Sequence, residues 1–294
     1  MSFRAIEKVF RNNHAHWVGD GFRVKQYFPL NQPETFYQRF SPFILLDYNE
    51  PFFFRATPFE VGVGPHPHRG FETVTFAFAG KVEHGDNLGN SGVIEPGDIQ
   101  WMTAGGGILH KEYHEKEFSK KDRILHMIQL WVNLPRKDKM TNPKYQAITA
   151  DQMGKYFSED ERFKLIVYAG EVNGINGPAS TFSPMNIYKV DIAKGRTETF
   201  LEPADYNTGL LVLAGEVKIN GDSSAKATDF VLFENDGKPF NITGVEEHSE
   251  VFILSGQPLN EPVVQSGPFV MSTREELRQA AHDFKSGKFG SLDF

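Results

Sequence analysis

Phe78-Ala-Gly-Lys-Val82 is echoed 135 residues later by Leu213-Ala-Gly-Glu-Val217. Each copy leads into a polar turn, Gly85-Asp86 in the first and Gly221-Asp222 in the second. The turn before the next strand repeats as well, Pro96-Gly-Asp98 against Ala227-Thr-Asp229, at an offset of 131 residues. Chance could produce one such echo. Two in the same order, at nearly the same spacing, predict two copies of one β domain. Small antiparallel domains of this length close their sheets as barrels or jelly rolls.

The surrounding pattern agrees. Residues 71–79 alternate in strand fashion, break at Gly80 and resume at Lys81-Val-Glu-His84. Gly92 to Asp98 and Ile99 to Thr103 read as strand, tight turn and strand, and 124–134 read as one long strand. Glycine (27) and proline (17) are spread along all 294 residues, so short elements separated by many turns are expected. Phenylalanine, with 27 copies against 9 tyrosines and 3 tryptophans, suits packed sheet cores and a ring-lined cavity. Only the C-terminus reads as a helix. Ser272 or Thr273 would cap it, Glu275 and Glu276 would occupy its first turn, Leu277, Ala281 and Phe284 would form its apolar face, and Gly287 would end it. The Lys- and Arg-rich stretch 135–143 marks a domain connection. The expected division is therefore 1–134 and 135–294.

A net charge of −7 argues against direct binding of nucleic acid or an anionic membrane. With no cysteine, disulfides and thiolate metal sites are excluded, and a reducing compartment fits. No stretch reaches the length of an apolar membrane span, and the N-terminus lacks a signal-peptide core, so a cytoplasmic location is expected.

His66-Pro-His68 and His110-Lys-Glu112 carry the chemistry. Residues i and i+2 of a strand share a face, so each pair can turn two ligands toward one point. Together they form a three-imidazole, one-carboxylate set with coordination positions left open. Such a set suits Fe, Mn, Co, Ni or Cu and admits Zn, whereas structural zinc sites are closed and usually rich in Cys. Gly105-Gly-Gly107 lets the backbone turn tightly beside the second pair. His14 and His16 repeat the spacing in a polar segment with no partner motif and are read as solvated. Glu72, four residues past His68, is read as a support or ion-pair partner of the ligands. Trp101 and Phe52-Phe-Phe54 are read as core.

The stretch His66-Pro-His-Arg-Gly-Phe-Glu-Thr-Val74, with Gly89-Asn-Ser-Gly92, Pro96-Gly-Asp98, Gln100-Trp-Met-Thr-Ala-Gly105 and Gly107-Ile-Leu-His-Lys-Glu112, closely resembles the pirin family. So do Gln129-Leu-Trp-Val-Asn-Leu-Pro135 and the segment from Glu276 to Gly290. The resemblance departs from the family pattern at Gly106 and Lys111, neither of which is a ligand. It implies a bicupin, that is, two tandem jelly-roll cupin domains with a short C-terminal helix. It also implies one divalent metal per chain, usually iron, held by His66, His68, His110 and Glu112. The implied activity is that of a quercetin 2,3-dioxygenase: oxidative cleavage of a flavonol ring with release of carbon monoxide, Glu112 doubling as base. The alternative it carries is a metal-dependent regulatory protein that binds a transcription factor or a metabolic enzyme. Carrying the repeat offsets into the second copy places Leu201 and Pro203, and Asn241 and Thr243, at the ligand positions, so the second domain is expected to hold no metal. A monomer is expected, since two such domains in one chain can satisfy each other.

Overall fold

The computed structural model describes residues 2–12, 14–28 and 34–291. The chain divides into two compact units, each described by itself. The first comprises residues 14–38, 42–150 and 259–294; the second comprises 1–13, 39–41 and 151–258.

In the first unit a seven-stranded antiparallel sheet runs, in spatial order, Lys144–Ile148, Ile99–Thr103, Phe71–Ala79, Arg123–Asn133, Phe43–Phe54, Phe22–Gln26 and His16–Val18. A four-stranded sheet runs Gly62–His68, Ile108–His114, Val82–Asp86 and Ser91–Ile94. The two sheets share a core in which Val82 and Ile94 of the smaller meet Ala77, Leu125 and Met127 of the larger. Their alternating apolar positions make this a two-layer jelly roll, the cupin fold.

The second unit repeats the plan strand for strand. Its seven-stranded sheet is Ile6–Arg11, Asp229–Phe233, Asn207–Ala214, Ser249–Gly256, Met185–Ile192, Phe163–Ala169 and Gly154–Phe157. Its four-stranded sheet is Thr197–Phe200, Phe240–Gly244, Glu216–Ile219 and Ser223–Lys226. The repeat seen in the sequence is thus a repeat of topology.

The units are not the contiguous halves 1–134 and 135–294. Ile6–Arg11 pairs with Asp229–Phe233, the position that Lys144–Ile148 fills beside Ile99–Thr103 in the first unit. The stretch after residue 134 therefore continues the first unit through its outer strand. The C-terminal helix forms where the sequence places it, but it completes the first unit rather than the second. It spans Arg274–Lys285, capped by Thr273, whose side chain accepts from the Glu276 N–H while Glu276 reaches back, a reciprocal capping box. It belongs to the first unit, where Leu277, Ala280 and Ala281 pack against Leu109, Phe269 and Phe289. Ala280 and Asp283 are its buried residues, and Phe284 is 40% exposed at the edge of that face.

Rings fill the interior of the second unit. Phe200 and Phe240 stack with centroids 5.7 Å apart, Phe233 lies 4.6 Å from Phe240, and Tyr188 lies 5.5 Å from Phe200. Thr199 sits opposite Asn241 as His66 sits opposite His110. The counterparts of the two histidines on the first strand are thus Thr199 and Leu201, two residues before the positions the 135-residue offset picks. Neither set supplies imidazoles.

Glu72 illustrates how strand alternation sorts side chains. It lies one residue out of phase with Thr73 and Thr75, and so projects from the opposite face of the sheet. There it is fully buried, and the Thr103 hydroxyl donates to its Oε1 at 2.7 Å. It is neither a support of the histidines nor, among the described residues, half of an ion pair. Burial pushes its carboxyl from the ordinary 4.5 up to about 7, against the opposing pull of Thr103, Trp101 and Lys144. A carboxyl raised on folding stabilises the fold fully below the unfolded-chain value, and that contribution is lost as pH climbs through 7. Glu72→Gln should therefore leave stability at pH 4 nearly unchanged and raise it at pH 8 by on the order of 3 kcal/mol. Urea unfolding at the two pH values checks this; an equal change at both would refute it.

Candidate metal centre

His66 and His68 lie at the end of Gly62–His68, and His110 lies on its antiparallel neighbour Ile108–His114. His110 is directly opposite His66, and Ile108 is opposite His68. The first pair thus closes its own strand. The turn into His110 depends on glycine. Gly105 has φ +49° and Gly107 φ +133°, and a Cβ on Gly107 would lie 2.7 Å from the Phe289 ring. Arg69, next to His68, braces the same turn. Its Nε donates to the Gly106 carbonyl (2.7 Å), its Nη1 donates to Asp283 on the C-terminal helix (2.9 Å), and its guanidinium lies over Phe289.

The three imidazoles converge. Ring centroids are 4.1 Å apart for His66 and His110, and 4.8 Å apart for the other two pairs. One ring nitrogen from each lies within 4.8 Å of the others. Burial, reinforced by the neighbouring rings, pushes His68 and His110 well below the ordinary imidazole value, and burial lowers His66 as well. All three are neutral at neutral pH, the protonation state a metal ligand requires.

Unpartnered nitrogens test the fit. The Gly64 carbonyl lies 2.8 Å from His66 Nδ1, which fixes the proton there and leaves Nε2 with its lone pair. His68 Nδ1 and both nitrogens of His110 are buried with no hydrogen-bond partner. An imidazole 1% exposed with neither nitrogen satisfied is costly in an apolar interior, and a divalent cation would supply a partner to one of them. The donor set therefore fits a transition metal held by nitrogen.

Glu112 is on the same strand, two residues past His110, and lines the same cavity as His66 and His68. It is 8% exposed, and burial pushes its carboxyl up to about 7 although Thr75 hydrogen-bonds to it. Thr75 Oγ lies 3.3 Å from Glu112 Oε1 and donates to Gln129 Oε1 at 2.6 Å. The cavity measures about 260 Å³, and Phe22, Leu45, Met127 and Trp131 give it largely apolar walls. Trp131 also packs on His68, with centroids 5.2 Å apart. Asp47, Thr75 and Gln129 belong to this site without any motif to announce them. Their signal is a polar side chain set inside an apolar strand, as in Ile44-Leu-Leu-Asp47 and Ile128-Gln-Leu130.

His14 and His16 are exposed and lie outside the histidine group. Trp101 is fully buried, as expected of core, whereas Phe53 is 54% exposed.

The Pirin family model matches residues 21–132, and the model of the Pirin C-terminal cupin domain matches residues 187–290. A Pseudomonas aeruginosa protein named "Putative quercetin 2,3-dioxygenase" is 42% identical over 96% of both chains. Human pirin is 34% identical, over 92% of this chain and 89% of its own. The crystal structure of a quercetin 2,3-dioxygenase from Acinetobacter baumannii superposes with a TM-score of 0.93 at 43% identity, covering 99% of this chain and 100% of that one. A repeated cupin plan, a histidine cluster in the first copy and these likenesses together place the chain in the pirin family.

Proposed function

We propose that the chain is a mononuclear-metal dioxygenase that opens the heterocyclic ring of a flavonol-type substrate. In this reading His66, His68, His110 and Glu112 hold one divalent ion, iron in the first instance. The observation that carries it is the histidine cluster, with its unpartnered nitrogens, opening into an apolar cavity. The dioxygenase names of the Pseudomonas relative and the Acinetobacter structure support the substrate class.

A bound divalent ion would polarise an enolic hydroxyl and supply the electron chemistry that dioxygen requires. The protein's own groups do the rest. Gly64 sets the tautomer of His66, so the imidazole presents its free nitrogen. Glu112, with one oxygen 3.3 Å from the Thr75 hydroxyl, stands within the cavity as ligand and as acceptor for the enol proton. Trp131 and Phe22 offer flat apolar walls to an aromatic ligand and exclude water from the reacting carbons.

The test is anaerobic reconstitution with ferrous ion, followed by quercetin and oxygen. Quercetin loss with carbon monoxide release in proportion is expected; absence of both with Fe, Mn, Co, Ni and Cu in turn would overturn the reading.

A second reading, metal-state-dependent binding of a regulatory protein partner, is favoured by the ring-filled interior of the second unit, a cupin fold kept without a cavity chemistry. Comparing partner capture by ferrous, ferric and metal-free protein separates the two. Identical profiles argue against it.

A further inference from the structure

One polar row crosses the larger sheet of the first unit. Gln26 pairs with Asp47, Asp47 with Gln129, Gln129 with Thr75, and Thr75 with Gln100, each directly opposite the next on an antiparallel neighbour. Directly opposed residues project from the same face, so all five side chains stand in line. The flanking row on that face, Leu45 and Trp131, is apolar, as is Met127 on the other side, and all three line the cavity.

Along the row, Gln26 bonds to Asp47 and Thr75 bonds to Gln129, and the chain of hydrogen bonds breaks between Asp47 and Gln129. Gln26 Nε2 donates to Asp47 Oδ1 at 3.0 Å, and Thr75 occupies Gln129 Oε1. Among the described residues, Asp47 Oδ2 has no donor and the Gln129 amide nitrogen no acceptor. Both residues line the cavity. Facing residues in such a pair have Cβ atoms about 5 Å apart. That leaves an acceptor and a donor side by side on an otherwise apolar wall. A hydroxyl group, which donates once and accepts at its oxygen, satisfies both together.

We propose that Asp47 and Gln129 form a recognition pair for a phenolic hydroxyl of the substrate, selecting polyhydroxylated flat aromatics over their deoxy analogues. The assignment rests on the flavonol reading above and names what that site reads in the substrate beyond its metal-binding oxygens. A hydrogen bond from a ligand hydroxyl to Asp47 would also offset the cost of a carboxyl in that wall. Burial raises its pKa to about 7, a cost that an apolar residue would avoid. In either protonation state Asp47 retains a free acceptor oxygen for the ligand hydroxyl.

Two ligands separate the contributions: quercetin, and 3-hydroxyflavone, which keeps the enol and keto oxygens but lacks the other hydroxyls. Binding is measured anaerobically by calorimetry on metal-loaded protein, with metal content assayed in parallel. The wild type should prefer quercetin by roughly 10- to 100-fold, the scale set by leaving a buried acceptor unpaired. Asp47→Leu should erase that preference, with 3-hydroxyflavone affinity and metal content unchanged. Asp47→Asn, which retains an acceptor for Gln26, should keep part of it and serves as the control for folding. If Asp47→Leu keeps the full preference, or loses affinity equally for both ligands, the assignment is overturned while the flavonol reading stands. If the wild type binds neither ligand, both fall together.

Discussion

His110→Ala is expected to abolish metal binding and, with it, flavonol turnover. The ring is 1% exposed and neither of its nitrogens has a hydrogen-bond partner, which leaves one free to hold a metal. It is also the histidine supplied by the opposite strand, set against His66 across the pair. Without it, two imidazoles from one strand and the carboxylate of Glu112 remain. In the wild type a metal at a hundred times its dissociation constant should add about 2.7 kcal/mol of stability. That increment should vanish in His110→Ala while the metal-free proteins unfold within a narrow range of each other. Elemental analysis, thermal unfolding with and without metal, and quercetin consumption check the three parts. Turnover by a His110→Ala protein verified to be metal-free would refute the proposed function.

Arg4→Ala is expected to be the most destabilising single change in the second unit. Arg4 is fully buried, and its guanidinium donates to four backbone carbonyls: Glu234 (2.7 Å), Tyr206 (2.9 Å), Pro203 (3.4 Å) and Glu202 (3.5 Å). Its own N–H donates to Pro239, and its carbonyl accepts from the Asn220 side chain. It therefore holds the entry of Ile6–Arg11 against the strand Asp229–Phe233, which would otherwise be a sheet edge. Truncation to alanine removes the packed stem and leaves several carbonyls unmatched, a loss of about 3 to 5 kcal/mol. Arg4→Lys should recover only part, because an ammonium lacks the planar fork that reaches four acceptors. Urea unfolding measures both. A change below about 1 kcal/mol would show that water replaces the guanidinium without cost.

Residues far apart in the chain decided how much could be anticipated. The pairs His66/His68 and His110/Glu112 were legible because i, i+2 spacing on a strand is a local geometric fact, whereas the meeting of His110 with His66 depends on which strands pair. The two-copy architecture was legible for a similar reason, since a repeated turn and strand pattern carries its fold with it. The C-terminal helix was readable from Thr273, Glu276 and Gly287, all within one helix length of each other.

Membership of the units was not legible. Nothing in Ile6–Arg11 itself states that it pairs with Asp229–Phe233, more than 200 residues away, because the partner of an edge strand is chosen by tertiary packing. The same holds for the C-terminal helix, whose apolar face and Asp283 find Phe269, Leu109 and Arg69 in the first unit. Glu72 and Asp47 show the distinction most sharply. Both are acidic residues inside apolar strands, and their sequence contexts look alike. Alternation within each strand, and the face each strand turns to the cavity, send Glu72 to Thr103 in a closed core and Asp47 to the cavity wall. The histidine and glutamate pairs, their spacing and the two-copy β plan could be read from the sequence, because those are local. The tertiary structure alone decided which copy each end of the chain completes and which polar residues face the cavity, because those depend on register between distant strands.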